Sequence, residues 1–221
     1  RIEMNQRFAE LELKALQSQM NPHFIFNSLG AIQYFIRSDR TQEADGYLTK
    51  FAQLMRLFLE SSKNKYITLA EEIRLLKLYV ELEKMRFEGR FEAKFSVEKN
   101  IDTDEVEIPS MLLQPFVENA INHGLFHKKE KGLLQIKVTA NGSKEIHCIV
   151  EDDGIGREAA GALREQSLKN YKSRAMQIVH ERLEALSHVE GYEVKIEVND
   201  LRHPDGGPAG TRVTLTIPVA D

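Results

Sequence analysis

The sequence predicts an α plus α/β chain in two parts. A helical hairpin over residues 1–64 is expected to pair with a second copy into a four-helix bundle. A mostly antiparallel α/β sandwich is expected over residues 65–221. Three observations predict this. Apolar residues recur at helical spacing up to Phe87, and beyond it they alternate. Within the helical regime, before its third helix, runs Ser62-Lys63-Asn64-Lys65, a polar stretch suited to a domain boundary.

The first helix is expected from about Phe8 to Arg37, ~45 Å long if continuous. Leu13, Leu16, Met20, His23 and Asn27 share one stripe, and Ile25, Leu29, Ile32 and Ile36 form a second, roughly opposite. Two apolar stripes need two partners, and the hairpin offers one, so a homodimer is expected. Ser38-Asp39-Arg40 breaks the pattern. A second helix follows from about Thr41 to Ser61, with Ala44, Leu48, Phe51, Leu54, Met55 and Phe58 on its apolar side. Thr68 followed by Glu71 is a capping box that opens a third helix, ending near Phe87. Phe91–Val97 and Val106–Ile108 read as strands, and Pro109 to about Gly124 as a helix with proline in its first turn. Leu134, Ile136 and Val138 alternate, Asn141-Gly142 marks a hairpin, and Ile146, Cys148 and Val150 alternate again. Gly156–Ser173 has no core periodicity and is expected to be a long loop of the kind that forms lids. A helix from Ala175 to Ser187 and strands at Tyr192–Asn199 and Thr211–Pro218 complete the chain, the strands flanking the Gly/Pro-rich loop Pro204–Gly210.

Composition excludes some classes. The net charge of −4 argues against a general nucleic-acid coat, and no direct nucleic-acid binding is expected. With one cysteine, Cys148, no intrachain disulfide can form; its alternating setting marks it as a core residue in a reducing, cytoplasmic compartment. No apolar run is long enough to span a bilayer. The chain begins at Arg1 inside a helical pattern and is expected to be a fragment, with any membrane attachment through a missing N-terminal region.

Three clusters carry chemistry. In Asn21-Pro22-His23-Phe24-Ile25-Phe26-Asn27 a helix-kinking proline stands beside a histidine, and Asn27 follows one turn later. A neutral imidazole nitrogen is a good nucleophile for phosphoryl transfer, though a histidine at a bundle seam needs no such role. In Glu118-Asn119-Ala120-Ile121-Asn122-His123-Gly124 the two asparagines are one turn apart, and carboxamide oxygens suit a hydrated magnesium ion. A helix C-terminus alone accounts equally for Asn, His and Gly there. In Glu151-Asp152-Asp153-Gly154-Ile155-Gly156 an aspartate at a strand end can accept from an exocyclic amine, while glycines let backbone approach a flat ring; an acidic turn would look the same. A further glycine loop, Gly206-Gly207-Pro208-Ala209-Gly210-Thr211, precedes the last strand.

In this order the clusters resemble the boxes of LytS-type sensor histidine kinases, from about Leu13 to Pro218. The first resembles the phosphoacceptor box, which puts the phosphorylated histidine at His23. Pro115–Gly124 is similar to the N box, with Asn119 as the magnesium ligand, and Asp152-x-Gly154-x-Gly156 to the box whose aspartate binds the adenine amine. Gly210-Thr211 resembles the last glycine box. The resemblance implies a Bergerat-type ATP-binding sandwich behind a dimerisation bundle. It implies ATP and Mg2+ as cofactors, autophosphorylation of His23, and transfer to an aspartate of a response regulator, of LytTR type. His23 and Asn27 would be the catalytic pair; Asn119, Asn122, His123, Asp152, Gly154, Gly156, Gly210 and Thr211 would line the nucleotide pocket.

The chain departs from that pattern at Ser173–Ile178, which holds neither the usual lid glycines nor the asparagine, and at Asn122, where a lysine is common. The alternative is therefore a degenerate kinase that binds partners with little ATP turnover. A gyrase-type ATPase is disfavoured, because Pro115 stands where its water-activating glutamate would be.

Overall fold

The computed structural model describes residues 22–142, 144–157, 179–181, 183–184, 186–188 and 191–219. The expected stripe Leu13–Met20, the turns of the first helix before Pro22, most of the Gly156–Ser173 loop and Ser173–Ile178 lie outside the described residues. Of the expected helix Ala175–Ser187, the described residues from 179 on are helical, and His188 extends them.

Helix α1 (Pro22–Arg37) and helix α2 (Thr41–Ser61) form a hairpin. Its turn places Asp39 in the left-handed region, at φ 58°. The Arg40 guanidinium locks the turn by donating to Glu43 and, at 2.8 Å, to Glu88. The face of α1 that meets the core is Phe24, Ser28, Ala31 and Phe35, a stripe offset from both expected ones. Aromatic size decides the offset: Phe24 lies 5.1 Å from Tyr79 and 6.1 Å from Phe51, and Phe35 lies 6.0 Å from Tyr47. The Tyr47 hydroxyl, deep in the hairpin, donates to Ser28 Oγ at 3.1 Å. Leu29 and Ile36 stay at least half exposed, as do Phe26, Leu48 and Leu59, so an apolar face of the hairpin is left open.

Helix α3 (Leu69–Arg86) starts at the expected capping box. Thr68 Oγ1 accepts from Glu71 N at 3.2 Å, and Glu71 Oε2 accepts from Thr68 N at 2.9 Å. It packs between the hairpin and the rest of the chain, and a Lys50–Glu81 ion pair at 2.5 Å ties it to α2. Before it, β1 (Tyr66–Thr68) pairs antiparallel with β3 (Glu107–Pro109).

The main sheet comprises β2 (Phe91–Val97), β4 (Gly132–Asn141), β5 (Glu145–Asp152), β6 (Lys195–Arg202) and β7 (Pro208–Pro218), ordered β2-β4-β5-β7-β6. Only the β2–β4 pair is parallel. The alternation read in the sequence sets the register: Ile136 opposes Val150, and Val138 opposes Cys148, which opposes Leu215. All five are buried, on one face, in a core shared with Leu76 and Val80 of α3.

Pro109 does not open a helix as expected; it closes β3. The next helix, α4 (Gln114–Asn119), begins five residues later, with Pro115 in its first turn. The intervening loop is held by a buried carboxylate that the sequence pattern did not reveal. Glu72 of α3 accepts Met111 N at 2.9 Å and Leu113 N at 2.8 Å, while Met111 sits at φ 54°. Helix α4 then runs into a π-helical turn, Ala120–Leu125.

Candidate functional site

Strand β5 delivers Asp152 to the end of the sheet, and burial there is nearly complete, at 4% exposure. Its Oδ1 accepts from Gly154 N at 2.9 Å, and the Thr211 backbone, opposite it on β7, also donates. Burial pushes the carboxyl from 3.8 up to about 7, against the pull of those donors, and Asp153 and Glu151 add to the rise. Two backbone donors do not exhaust the roughly four lone-pair sites of a carboxylate. A buried acid with spare acceptor capacity is suited to receive an amine donor from a ligand.

Three glycines make this corner possible. A Cβ on Gly124 would lie 2.2 Å from Asp152 Oδ1, one on Gly154 would lie 2.2 Å from the Gly124 carbonyl carbon, and one on Gly210 would lie 1.8 Å from the Asp152 carbonyl oxygen. None of these approaches leaves room for a side chain. Gly124 O also accepts from Ile155 N at 3.1 Å, which joins the end of the wide turn to the loop after β5. Gly156 adopts φ +76°, with Pro208 3.0 Å from where its Cβ would be. The structure thus brings Asp152, Gly154, Gly156, Gly210 and Thr211 together, and adds Gly124, which the motif contained but no role had been given.

Asn119 closes α4, half-buried, immediately before the wide turn that carries Asn122 and His123. One-turn spacing places Asn119 and Asn122 on a common side in an α-helix. A π-helical turn takes more residues per revolution, so that phase is lost here. Asn122 Oδ1 instead accepts from Arg86 Nη2 of α3 at 3.4 Å. Glu118 is also engaged elsewhere: Gln114 Nε2 donates to it at 2.8 Å.

Among the described residues no group of three or more His, Cys, Asp or Glu side chains could hold a metal ion by itself. An ion on Asn119 would draw its other ligands from phosphate and water, which suits magnesium.

His23 and Asn27 form a separate pair on α1, His23 exposed and Asn27 half-buried. Asn27 Nδ2 donates to His23 Nδ1 at 3.2 Å and lies 3.5 Å from Nε2. A ring nitrogen that accepts a hydrogen bond is unprotonated, so this contact favours the neutral imidazole, the nucleophilic state. Phe24, the next residue, plugs the helix into the core against Tyr79 and leaves the histidine on the outer side.

A family model described as histidine kinase matches residues 11–91. The sensor protein LytS of Staphylococcus haemolyticus is 33% identical over 147 residues, 66% of this chain and 24% of that protein. The sensor histidine kinase/phosphatase LytS of Staphylococcus aureus is 33% identical over the same length, 25% of that protein. The chain therefore spans about a quarter of the length of the curated relatives it matches. Among solved structures, the histidine kinase domain of a blue-light activated histidine kinase from Erythrobacter litoralis EL346 superposes with a TM-score of 0.50 at 18% identity. The match covers 97% of this chain and 94% of that one, and at that identity it speaks for the fold alone.

Proposed function

The chain belongs to the LytS-type sensor histidine kinases, and from that premise we propose that it uses ATP to phosphorylate its own His23 and passes the phosphoryl group to an aspartate of a response regulator, of LytTR type. An imidazole lone pair attacks the γ-phosphorus, the bond to the ADP oxygen breaks, and ADP leaves. Asn27 holds the ring in its neutral form. Asp152 accepts the exocyclic amine of adenine, and Gly154, Gly156, Gly210 and Thr211 shape the floor beneath the base. Asn119 holds magnesium, which neutralises phosphate charge when bound; His123 lines the phosphate side. The observation that carries this reading is the buried Asp152 carboxyl, walled by three glycines that admit no side chain and left with unused acceptor capacity.

In this reading residues 1–64 are the dimerisation and phosphotransfer part and 65–221 the ATP-binding part. The hairpin's open apolar face, with Phe26, Leu29, Ile36, Leu48 and Leu59, supports a homodimer closed into a four-helix bundle. Among the described residues no helix is long and apolar enough to cross a membrane. We place the chain in the cytoplasm, on the side where its regulator would be.

The test is incubation with labelled ATP and magnesium. The label should be acid-labile and base-stable, as a phosphoramidate is, and absent in His23→Gln while nucleotide binding persists. Label that survives in His23→Gln, or that proves acid-stable, refutes the assignment. A wild type that binds no Mg-ATP at millimolar concentration makes the chain a degenerate kinase.

A further inference from the structure

Strand β5 ends at Asp152, opposite Leu134 of β4. One residue further, a continuing antiparallel ladder would pair Asp153 with Leu133, each backbone N–H donating to the other's carbonyl. Half of that exchange is made by the backbone: Asp153 N donates to Leu133 O at 3.2 Å. The other half goes to a side chain. Leu133 N donates at 2.7 Å to Asp153 Oδ1, so a carboxylate oxygen stands in for the carbonyl. The backbone after Asp153 is thereby released from the sheet and turns back across its end. There Gly154 N donates to Asp152 Oδ1 at 2.9 Å, and Ile155 N donates to Gly124 O at 3.1 Å. The second carboxylate oxygen is held as well. Lys128 Nζ, in the connection between the wide turn and β4, lies 2.9 Å from Asp153 Oδ2. One side chain therefore straps together the start of β4, the exit of the wide turn and the loop Gly154–Gly156.

Granting the nucleotide site proposed above, we propose that Asp153 is a positioning residue for it, whose carboxylate ends the β4–β5 ladder and frees the backbone to form the glycine floor beside Asp152. With alanine at this position, Leu133 N finds its ordinary partner in the carbonyl of residue 153. The ladder then runs one pair further, and Gly154 is drawn away from Asp152 and Gly124. Lys128 aims the carboxylate: with Oδ2 engaged, Oδ1 is left facing Leu133 N. The two aspartates at the end of β5 have separate tasks. Asp152 offers its spare acceptor capacity to the ligand, and Asp153 serves the backbone that shapes the floor.

The experiment compares Asp153→Ala with Glu98→Ala. Glu98 Oε2 accepts from Ala140 N at 2.9 Å, so the control removes a carboxylate that holds the same strand near its other end. Both should lower the thermal midpoint. In the nucleotide-free chain only Asp153→Ala should speed amide hydrogen exchange at Gly154 and Ile155. Only Asp153→Ala should weaken Mg-ATP binding by calorimetry, by roughly 10-fold, the worth of a charge-assisted hydrogen bond. Asp153→Asn keeps an acceptor for Leu133 N and loses the ion pair, and Lys128→Met loses the same pair. Each should weaken binding by about 2- to 5-fold, and the double variant by no more than either. A pH profile separates positioning beside Asp152 from general support of the fold. The charge of Asp153 helps to hold the Asp152 carboxyl up, while Glu151, on its other side, is paired with Arg212 and stays as it is. In Asp153→Asn the decline of affinity with falling pH should therefore begin at a lower pH than in the wild type. Equal behaviour of Asp153→Ala and Glu98→Ala in exchange and binding overturns the inference. So does an Asp153→Asn variant that binds no better than Asp153→Ala, or one whose pH profile is unshifted. If the wild type binds no Mg-ATP, the nucleotide site itself falls and the inference with it. If it binds and Asp153→Ala binds equally well, only the inference falls.

Discussion

In an Asp152→Asn variant the carboxyl at the end of β5 becomes an amide of the same shape, and stability and nucleotide affinity should move in opposite directions. The carboxyl titrates at 3.8 in the unfolded chain and at about 7 in the fold. Below pH 3.8 both states are protonated and the group is neutral toward stability. Between the two values the unfolded chain gives up its proton while the folded chain keeps it, so stability falls as pH rises, and above about 7 the loss is complete. At about 1.4 kcal/mol per unit the full loss is about 4 kcal/mol as an upper bound, of which about 2–3 kcal/mol falls between pH 5 and pH 8. Asparagine loses none of this and can keep the acceptor role toward Gly154 N. Urea unfolding of both nucleotide-free proteins at pH 5, 6, 7 and 8 should therefore show the variant's advantage widening by about 2–3 kcal/mol across the series. At pH 8 the same variant should bind Mg-ATP more weakly by about 1.5–3 kcal/mol, roughly 10- to 100-fold, because the charge-assisted bond to the adenine amine is gone. Wild-type affinity should itself decline as pH drops below about 7. A stability gap that stays constant from pH 5 to pH 8 would refute the buried, proton-holding carboxyl on which the reasoning rests.

Four further variants probe other parts of the same structure. Gly124→Ala puts a methyl 2.2 Å from Asp152 Oδ1 and should cost about 1–3 kcal/mol in unfolding free energy. Gly46→Ala, in α2 with nothing within 4 Å of its Cβ position, should instead gain about 0.5–1 kcal/mol; equal effects would count against the packed corner. Glu72→Gln leaves one acceptor oxygen where the carboxylate now receives Met111 N and Leu113 N, and urea unfolding should show a loss of about 1.5–3 kcal/mol. Phe26→Glu combined with Leu59→Glu places charge on the open face of the hairpin, and sedimentation at tens of micromolar should shift from dimer to monomer; an unchanged dimer would move the interface elsewhere.

Much of the fold was legible because burial on one face imposes a period. Alternation along β4 and β5 fixed which residues point inward, and Thr68 with Glu71 announced the start of α3 to the residue. The bounds of α2 were read without error for the same reason: a polar break before Thr41 and another after Ser61 leave no other place to stop. The offset of the buried stripe on α1 was not legible. Aliphatic residues at 25, 29, 32 and 36 carry as strong a period as Phe24, Ala31 and Phe35, and the choice between them is made by Tyr79, distant in sequence. The end of β3 was misread for a related reason. Proline is at home in a first helical turn and equally at home closing an edge strand, and what decides is Glu72, whose carboxylate holds the following loop out of helical geometry.

At the site, residue types and their order were legible, but the phase of one turn was not. Nothing in Ala120-Ile121-Asn122-His123-Gly124 distinguishes a π-helical turn from an α-helical one, because the extra residue per revolution is imposed from outside. Gly124 must meet Asp152 at a distance that no side chain permits, and Asn122 must reach Arg86 of α3. An α-helical continuation has 100° between successive residues, and a wider turn has less, so the angle between positions 122 and 124 differs in the two cases. The sequence does carry a trace of this demand. Gly124 is followed by Leu125 and Phe126 with no break in apolar character, as though the helix had room to continue. A glycine inside a continuing helix, where propensity alone disfavours it, marks a close approach by another part of the chain, and here that part is the Asp152 carboxyl.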